Sequence, residues 1–309
     1  MTTTPTSTAT ATPPQTPTPP DYRVSVRHAS TNPVVKALKR VPSLLTIVVL
    51  VLLTAYPLFW MVINSLKGKS DFLDNPSYAL PQVWVWENYS RAWDVGNLAT
   101  TITNSIIVTI PSLIFIVILG TAAGFALEVM VFKRRGGVLL YVLAGIMIPG
   151  QMIILPLFTS FYSVGLVGSL TPLIIIYTAG GLPLTIFMMA TYFRAIPREI
   201  FEASTLDGAS ILRSFVAVGF PMVRNAVFTV AIVQFFLIWN DLLIALIFGG
   251  KKSLNTIQVG LLNFSGEYGA IDYGPLFAAI VITVGGILVL YLFLNQRIMK
   301  GLAAGAVKG

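Results

Sequence analysis

Six long apolar runs, at about 44–66, 103–127, 139–161, 170–192, 226–248 and 276–296, restrict this chain more than any other feature. A helix of about 20 apolar residues crosses the hydrocarbon core of a bilayer. The runs are apolar on every side, as suits helices that face lipid or other spans. Pro149, Pro156, Pro172 and Pro183 lie inside them, and the first run is expected to break at Pro57. Soluble helices rarely tolerate such prolines, whereas a membrane bundle does, because neighbouring groups satisfy the freed carbonyls. Gly120 and Gly124 form a small-xxx-small pair that allows two helices to approach closely. The expected fold is all-α: a polytopic membrane protein of six transmembrane helices.

Composition agrees. Of 309 residues 55% are hydrophobic and only 10% are charged, and mean hydropathy is +0.81. A soluble domain carries about 25% charged residues, so this chain lacks the charge to cover a globular surface. The net charge of +8 does not point to nucleic acid, because the basic residues cluster beside the apolar runs. With no cysteine, neither a disulfide framework nor a thiolate metal site is available. The single histidine, His28, lies in a polar stretch, which excludes chemistry based on a buried imidazole or several imidazole ligands. Paired buried carboxylates are also missing, so an intramembrane enzyme is disfavoured. The lack of a buried Lys/Asp/Glu network argues against a proton-driven pump, and a self-sufficient ion-coupled carrier stays as a lesser alternative.

Residues 1–20 are almost all Thr, Pro, Ala and Ser, a composition that builds no core. They lack the charged start and apolar stretch of a signal peptide. Arg23, Arg27, Lys36, Lys39 and Arg40 follow, so 1–40 reads as a disordered and basic tail. Lys and Arg are distributed unevenly over the loops. Fifteen belong to the N-terminal arm, the 2–3 loop, the 4–5 segment and the C-terminal tail, and five to the opposite loops. That bias places both termini in the cytoplasm. The expected divisions are a first span with an outer loop over 41–97, a five-helix core over 98–296 and a cytoplasmic tail over 297–309. The outer loop carries Trp84, Trp86, Tyr89 and Trp93, suited to an interfacial anchor or to docking an external partner.

The cytoplasmic segment 194–221 is the most informative. Pro197 suits a helix start, and Glu199 and Glu202 lie near its positive end. Asp207-Gly208 is a turn in which glycine can take the left-handed conformation that ends a helix. A second short helix is then expected to stop at Pro221. This helix–turn–helix would present Ala203, Ser204 and Ala209, with the Glu202 carboxylate, to a partner.

Glu202-Ala203-Ser204, three residues and Gly208, then nine residues and Val218-Gly219-Phe220-Pro221, keep one spacing throughout. It resembles the EAA loop of ABC importer permeases: Glu-Ala-Ala, three residues, Gly, nine residues, Ile-x-Leu-Pro. Ser204, Val218 and Phe220 depart from that pattern, each to a residue of similar size or character. Phe193-Arg194-x-Ile196-Pro197, Trp239-Asn240-Asp241, Pro149-Gly150-Gln151 and the glycine- and alanine-rich 301–309 add to a likeness with the maltose-type (MalG-like) sugar permeases over about 41–309. The resemblance implies the type I ABC importer permease fold in the cell (inner) membrane. It implies a second MalF-like permease, an ABC ATPase dimer and an extracytoplasmic solute-binding protein as partners. It also implies that Glu202, Ala203, Ser204, Leu206, Asp207, Gly208 and Ala209 meet the ATPase, and that Gly305, Ala306, Val307 and Lys308 in the tail reach towards it. No cofactor is expected on this chain; ATP and Mg would sit on the ATPase. A same-fold permease for glycerol-phosphate or an oligopeptide is the alternative.

Gly68-Lys69-Ser70 ends like a phosphate-binding loop, but Ile63 stands where the pattern needs glycine. Asp241 lies in an apolar run 17 residues beyond Arg224, which is about 26 Å of helix at about 1.5 Å per residue. It is expected either as a hydrated carboxylate at the outer interface or as a solute or proton site. Glu128, beside Lys133–Arg135, reads as an interface charge. Gln151, Gln234 and Asn240 are candidates, with Asp241, for lining a pathway, or else for hydrogen bonding between helices.

Overall fold

The computed structural model describes residues 33–266 and 271–306, with side chains described over 42–266, 271–289 and 291–292. Residues 1–32 of the expected tail, and Val307 and Lys308, lie outside the described residues. The helices are α1 (Pro33–Ser65), α2 (Lys69–Asp74), α3 (Glu87–Val95), α4 (Leu98–Val129), α5 (Arg135–Met147), α6 (Ile154–Ser163) and α7 (Thr171–Arg194). They continue as α8 (Arg198–Leu206), α9 (Ile211–Ser214), α10 (Phe220–Trp239), α11 (Leu243–Gly249), α12 (Ile257–Gly260) and α13 (Tyr273–Ala306). The only β pairing among the described residues is the bridge between Ser265 and Ile271.

The chain divides into two units, 1–54 and 55–309. The described part of the first is helical from Pro33, so the expected tail turns helical before residue 40. From Leu44 to Leu53 its large apolar side chains are exposed. α1 runs through Pro57 without the expected break.

In the second unit α4 and α7 form the central pair. Gly120 and Gly124 make the approach possible: a Cβ on Gly120 would clash with Thr185 Cγ2, and one on Gly124 would meet Met189 Cβ at 2.7 Å and Ala190 N at 2.9 Å. One end of the bundle is filled by Val108, Ile116, Leu173, Ile238 and Phe248. The other is filled by Phe125, Met189, Phe193, Phe201, Val223 and Val230. Four described helices are long and apolar enough to cross a membrane: Pro42–Ser65, Leu98–Val129, Thr171–Arg194 and Ile211–Trp239. The apolar stretch Tyr273–Val289 is shorter.

Two expected spans are built differently. The third is a pair of helices, Arg135–Met147 and Gly150–Ser163, bent by 86°. Ile148 precedes Pro149 and is forced out of the helical region, with φ −77° and ψ 115°. The fifth starts earlier and ends earlier than 226–248. Residues 211–239 are continuous, because Pro221 does not end the short helix after Gly208. Residues 215–219 form a π-helical turn in which Phe220 N–H bonds to Phe215 O. That wider turn accommodates a proline ring that would otherwise clash with the carbonyl four residues back. The helix stops at Trp239 instead, and α11 begins after Asn240–Leu242.

At the start of α4 the connecting segments are tied down. Asn104 Nδ2 donates to Ser253 O at 2.9 Å and Asn255 O at 3.0 Å. Asn88 Nδ2 donates to Ser65 O and Lys67 O, both at 2.9 Å. Lys67 is buried at 1% exposure and donates to Ser77 O at 3.0 Å and Pro76 O at 3.3 Å. Burial holds its ammonium below the usual lysine pKa, with the Asp71 charge acting the other way. Trp84, Trp86 and Trp93 remain exposed, while Tyr89 OH hydrogen-bonds Ser65 Oγ at 2.9 Å.

Candidate functional site

α8 follows α7 directly. Pro197, with ψ 132°, turns the chain out of α7 and starts the new helix. At its other end Gly208 has φ +77°. Gly208 N–H bonds to Thr205 O at 3.0 Å and Ala209 N–H to Ser204 O at 3.1 Å. That nested pair closes a helix C-terminus and requires the left-handed residue that glycine supplies. Ser210 Oγ then accepts from Arg213 N–H at 3.3 Å and caps α9.

The two faces of α8 differ. Phe201 and Ser204 are buried. Glu202, Ala203, Leu206, Asp207 and Gly208 are exposed, and Ala209 is half-buried. Ser204 therefore faces inward rather than towards a partner, because it sits three residues from Phe201 on the same helical stripe. Leu206 is 89% exposed, a large apolar side chain at the end of a helix that is not itself a membrane span.

The inward face sits on an aromatic cluster that sequence reasoning missed. Phe125 of α4 meets Phe193 of α7, Phe201 of α8 and Phe215 of the π-helical turn, with ring centroids at 5.4, 5.6 and 5.1 Å. Phe125 thereby joins four elements around α8. Gly219 lies against it: a Cβ there would meet Phe125 Cε2 at 3.1 Å. Beside the cluster Arg194 Nη2 lies 3.0 Å from Glu128 Oε2 and closes the ends of α7 and α4. Glu128 is thus paired across helices, not with the adjacent Lys133–Arg135 cluster, although Arg135 donates to its backbone carbonyl at 3.3 Å.

Of the other candidates, Gln234 and Asp241 line a cavity of about 620 Å³ between α5, α6, α7, α10 and α11. Gln234 is buried and donates to Gly181 O and Thr185 Oγ1, both at 3.0 Å, so it bonds between helices. Asp241 is half-buried; it accepts from Tyr177 OH at 2.8 Å, Ile244 N–H at 3.0 Å and Ala245 N–H at 3.2 Å. It caps α11 and is not a freely hydrated carboxylate at the interface. Gln151, at the bend of the third span, and Asn240 are exposed and do not line the cavity. Gly305 and Ala306 belong to the last turn of α13. Among the described residues no three His, Cys, Asp or Glu side chains gather into a metal-binding group.

Comparison with known proteins extends this picture. The family described as "Binding-protein-dependent transport system inner membrane component" matches residues 117–298. The diacetylchitobiose uptake system permease protein NgcG of Streptomyces coelicolor is 33% identical over 253 residues, covering 82% of this chain and 83% of that protein. The melibiose/raffinose/stachyose import permease protein MelC of Bacillus subtilis is 30% identical, covering 82% and 91%. The trehalose/maltose transport system permease protein MalG of Thermococcus litoralis is 28% identical, covering 89% and 99%. A chain in the crystal structure of a bacterial ABC transporter that imports the acidic polysaccharide alginate superposes with a TM-score of 0.71 at 17% identity, covering 84% of this chain and 96% of that one. That likeness concerns the fold.

Proposed function

The chain belongs to the family of binding-protein-dependent transport system inner membrane components, and from that premise we propose that it imports a sugar or oligosaccharide and takes up the work of a separate ATPase through α8. It is a multi-pass permease subunit of an ABC importer and not itself an enzyme. An ATPase and a solute-binding protein are the partners such a subunit implies. A second, MalF-like permease completes the pathway in this reading, and ATP and Mg bind to an ATPase dimer.

The observation that carries the reading is the two-sided character of α8. Its outward face offers Leu206, Ala203 and the Glu202 carboxylate; its inward face rests on Phe125 and so on the ends of α4, α7 and α10. Small exposed residues allow deep seating in a cleft, Leu206 gives it apolar area, and Glu202 can pair with a cation there. A push on α8 then reaches three spans through one packed cluster. In this scheme Glu202, Leu206 and Gly208 transmit force and react with nothing. The excess of Lys and Arg at the α8 end supports placing that end, and both termini, in the cytoplasm.

The sugar assignment rests on what the relatives transport. Its test is uptake by the reconstituted complex, with ATP on the ATPase side, of labelled diacetylchitobiose, melibiose, trehalose and maltose. ATP-dependent accumulation of at least one, abolished without the binding protein, is expected. Uptake of glycerol-phosphate or a peptide instead, or uptake by the chain alone driven by an ion gradient, would overturn it.

A further inference from the structure

α10 stops at Trp239, and the next three residues leave the helix. That break turns Asp241 inward between α7 and α11. Three donors, from Tyr177, Ile244 and Ala245, converge on a single oxygen, Oδ1. They fix the carboxylate's orientation. Among the described residues Oδ2 has no donor, yet it is not one of the buried polar atoms sealed off without a partner. Asp241 lines the 620 Å³ cavity, a volume within the ~300–1,000 Å³ usual for small-molecule sites, and Oδ2 is the oxygen it has left for a ligand.

The rest of the wall narrows what that oxygen can meet. No Lys or Arg lines the cavity, and its other polar side chains, Gln234 and Tyr177, spend their donors on Gly181, Thr185 and Asp241. The wall therefore offers acceptors and no free side-chain donor. An anionic solute would meet an uncompensated carboxylate, whereas a neutral polyol brings the donors that are missing. Ile146, Ile153, Ile176 and Leu237 supply an apolar surface for the C–H face of a pyranose ring.

We propose that Asp241 is a solute-contact residue of this chain, its open oxygen accepting a hydrogen bond from a hydroxyl of a neutral sugar in the cavity between α5, α6, α7, α10 and α11. The proposal rests on the sugar-importer reading above. A purely structural cap and tie need only Oδ1, and asparagine serves as a cap as well as aspartate does. Asp241→Asn keeps that acceptor and replaces the open oxygen with an NH₂ donor, so it separates the two roles.

The experiment uses the reconstituted complex, the binding protein at saturation, and whichever of the four sugars the wild type accumulates. A hydrogen bond to a charged group is strong enough that its loss should cut the uptake rate about tenfold or more. Binding-protein-stimulated ATP hydrolysis and thermal stability in detergent should stay at wild-type values. Unchanged uptake by Asp241→Asn would overturn the proposal. So would a parallel fall in uptake, ATP hydrolysis and thermal stability, which marks a structural role. Wild-type uptake that requires Na⁺ or K⁺, a requirement lost in Asp241→Asn, would also overturn it by making the open oxygen a cation ligand. If the wild-type complex accumulates none of the sugars, the sugar reading itself fails and this proposal fails with it, a result distinct from failure of the variant alone.

Discussion

Gly208→Pro is expected to reduce ATP-driven uptake to background while the chain still inserts into the membrane. Gly208 holds φ +77° and donates its N–H to Thr205 O. Proline fixes φ near −65° and has no N–H, a combination that costs about 3 kcal/mol or more in a regular element. No atom lies within 4 Å of the position a Cβ would take, so the damage is to the backbone of the turn and not to packing. The end of α8 would unwind and Leu206 would lose its place. Gly208→Ala asks only for a left-handed alanine, at about 1–2 kcal/mol, and should retain part of the uptake. Uptake in proteoliposomes, set against the amount of membrane-inserted protein, checks both variants. Full uptake by Gly208→Pro would show that the shape of this turn does not matter.

Phe125→Ala is expected to separate ATP hydrolysis from uptake. Removing the ring deletes the link through which Phe201 of α8 reaches Phe193 of α7 and Phe215 of the π-helical turn. Truncating a buried Phe to Ala costs about 3–5 kcal/mol, so a lower unfolding temperature in detergent is expected as well. The informative quantity is sugar transported per ATP hydrolysed, which should fall severalfold. Phe125→Leu fills much of the volume and should restore stability further than it restores coupling. An unchanged ratio in Phe125→Ala would contradict the coupling role proposed for this cluster.

How much of this was legible in the sequence varies by residue. Long apolar runs report their own burial in lipid, so most spans could be read directly. The Gly120/Gly124 pair and the Asp207-Gly208 turn were readable because each has a steric cause in one or two residues. The bend at Pro149 was not, since Pro111 and Pro183 sit in unbroken helices and proline alone does not tell the two cases apart. Pro221 misled for a related reason: its clash is relieved by a π-helical turn that composition does not announce. Phe125 was invisible because an aromatic residue inside an apolar run has no contrast with its neighbours. Its importance comes from convergence of four elements, a tertiary fact. The small size of Ser204 suits an outward face, but the stripe it shares with Phe201 turns it inward. For Asp241, sequence distance located the carboxylate near one end of a span; only the break after Trp239 shows what holds it.

The claim at the centre of this account is that α8 seats in a separate ATPase. The chain contains no cysteine, so Leu206→Cys provides a unique attachment point for a photo-crosslinker in the intact reconstituted complex. The account predicts an adduct between this chain and the ATPase subunit, formed from position 206 and not from a cysteine placed at Trp93 near the opposite end of the spans. A complex that transports sugar and contains the ATPase, yet gives no ATPase adduct from position 206, would contradict it.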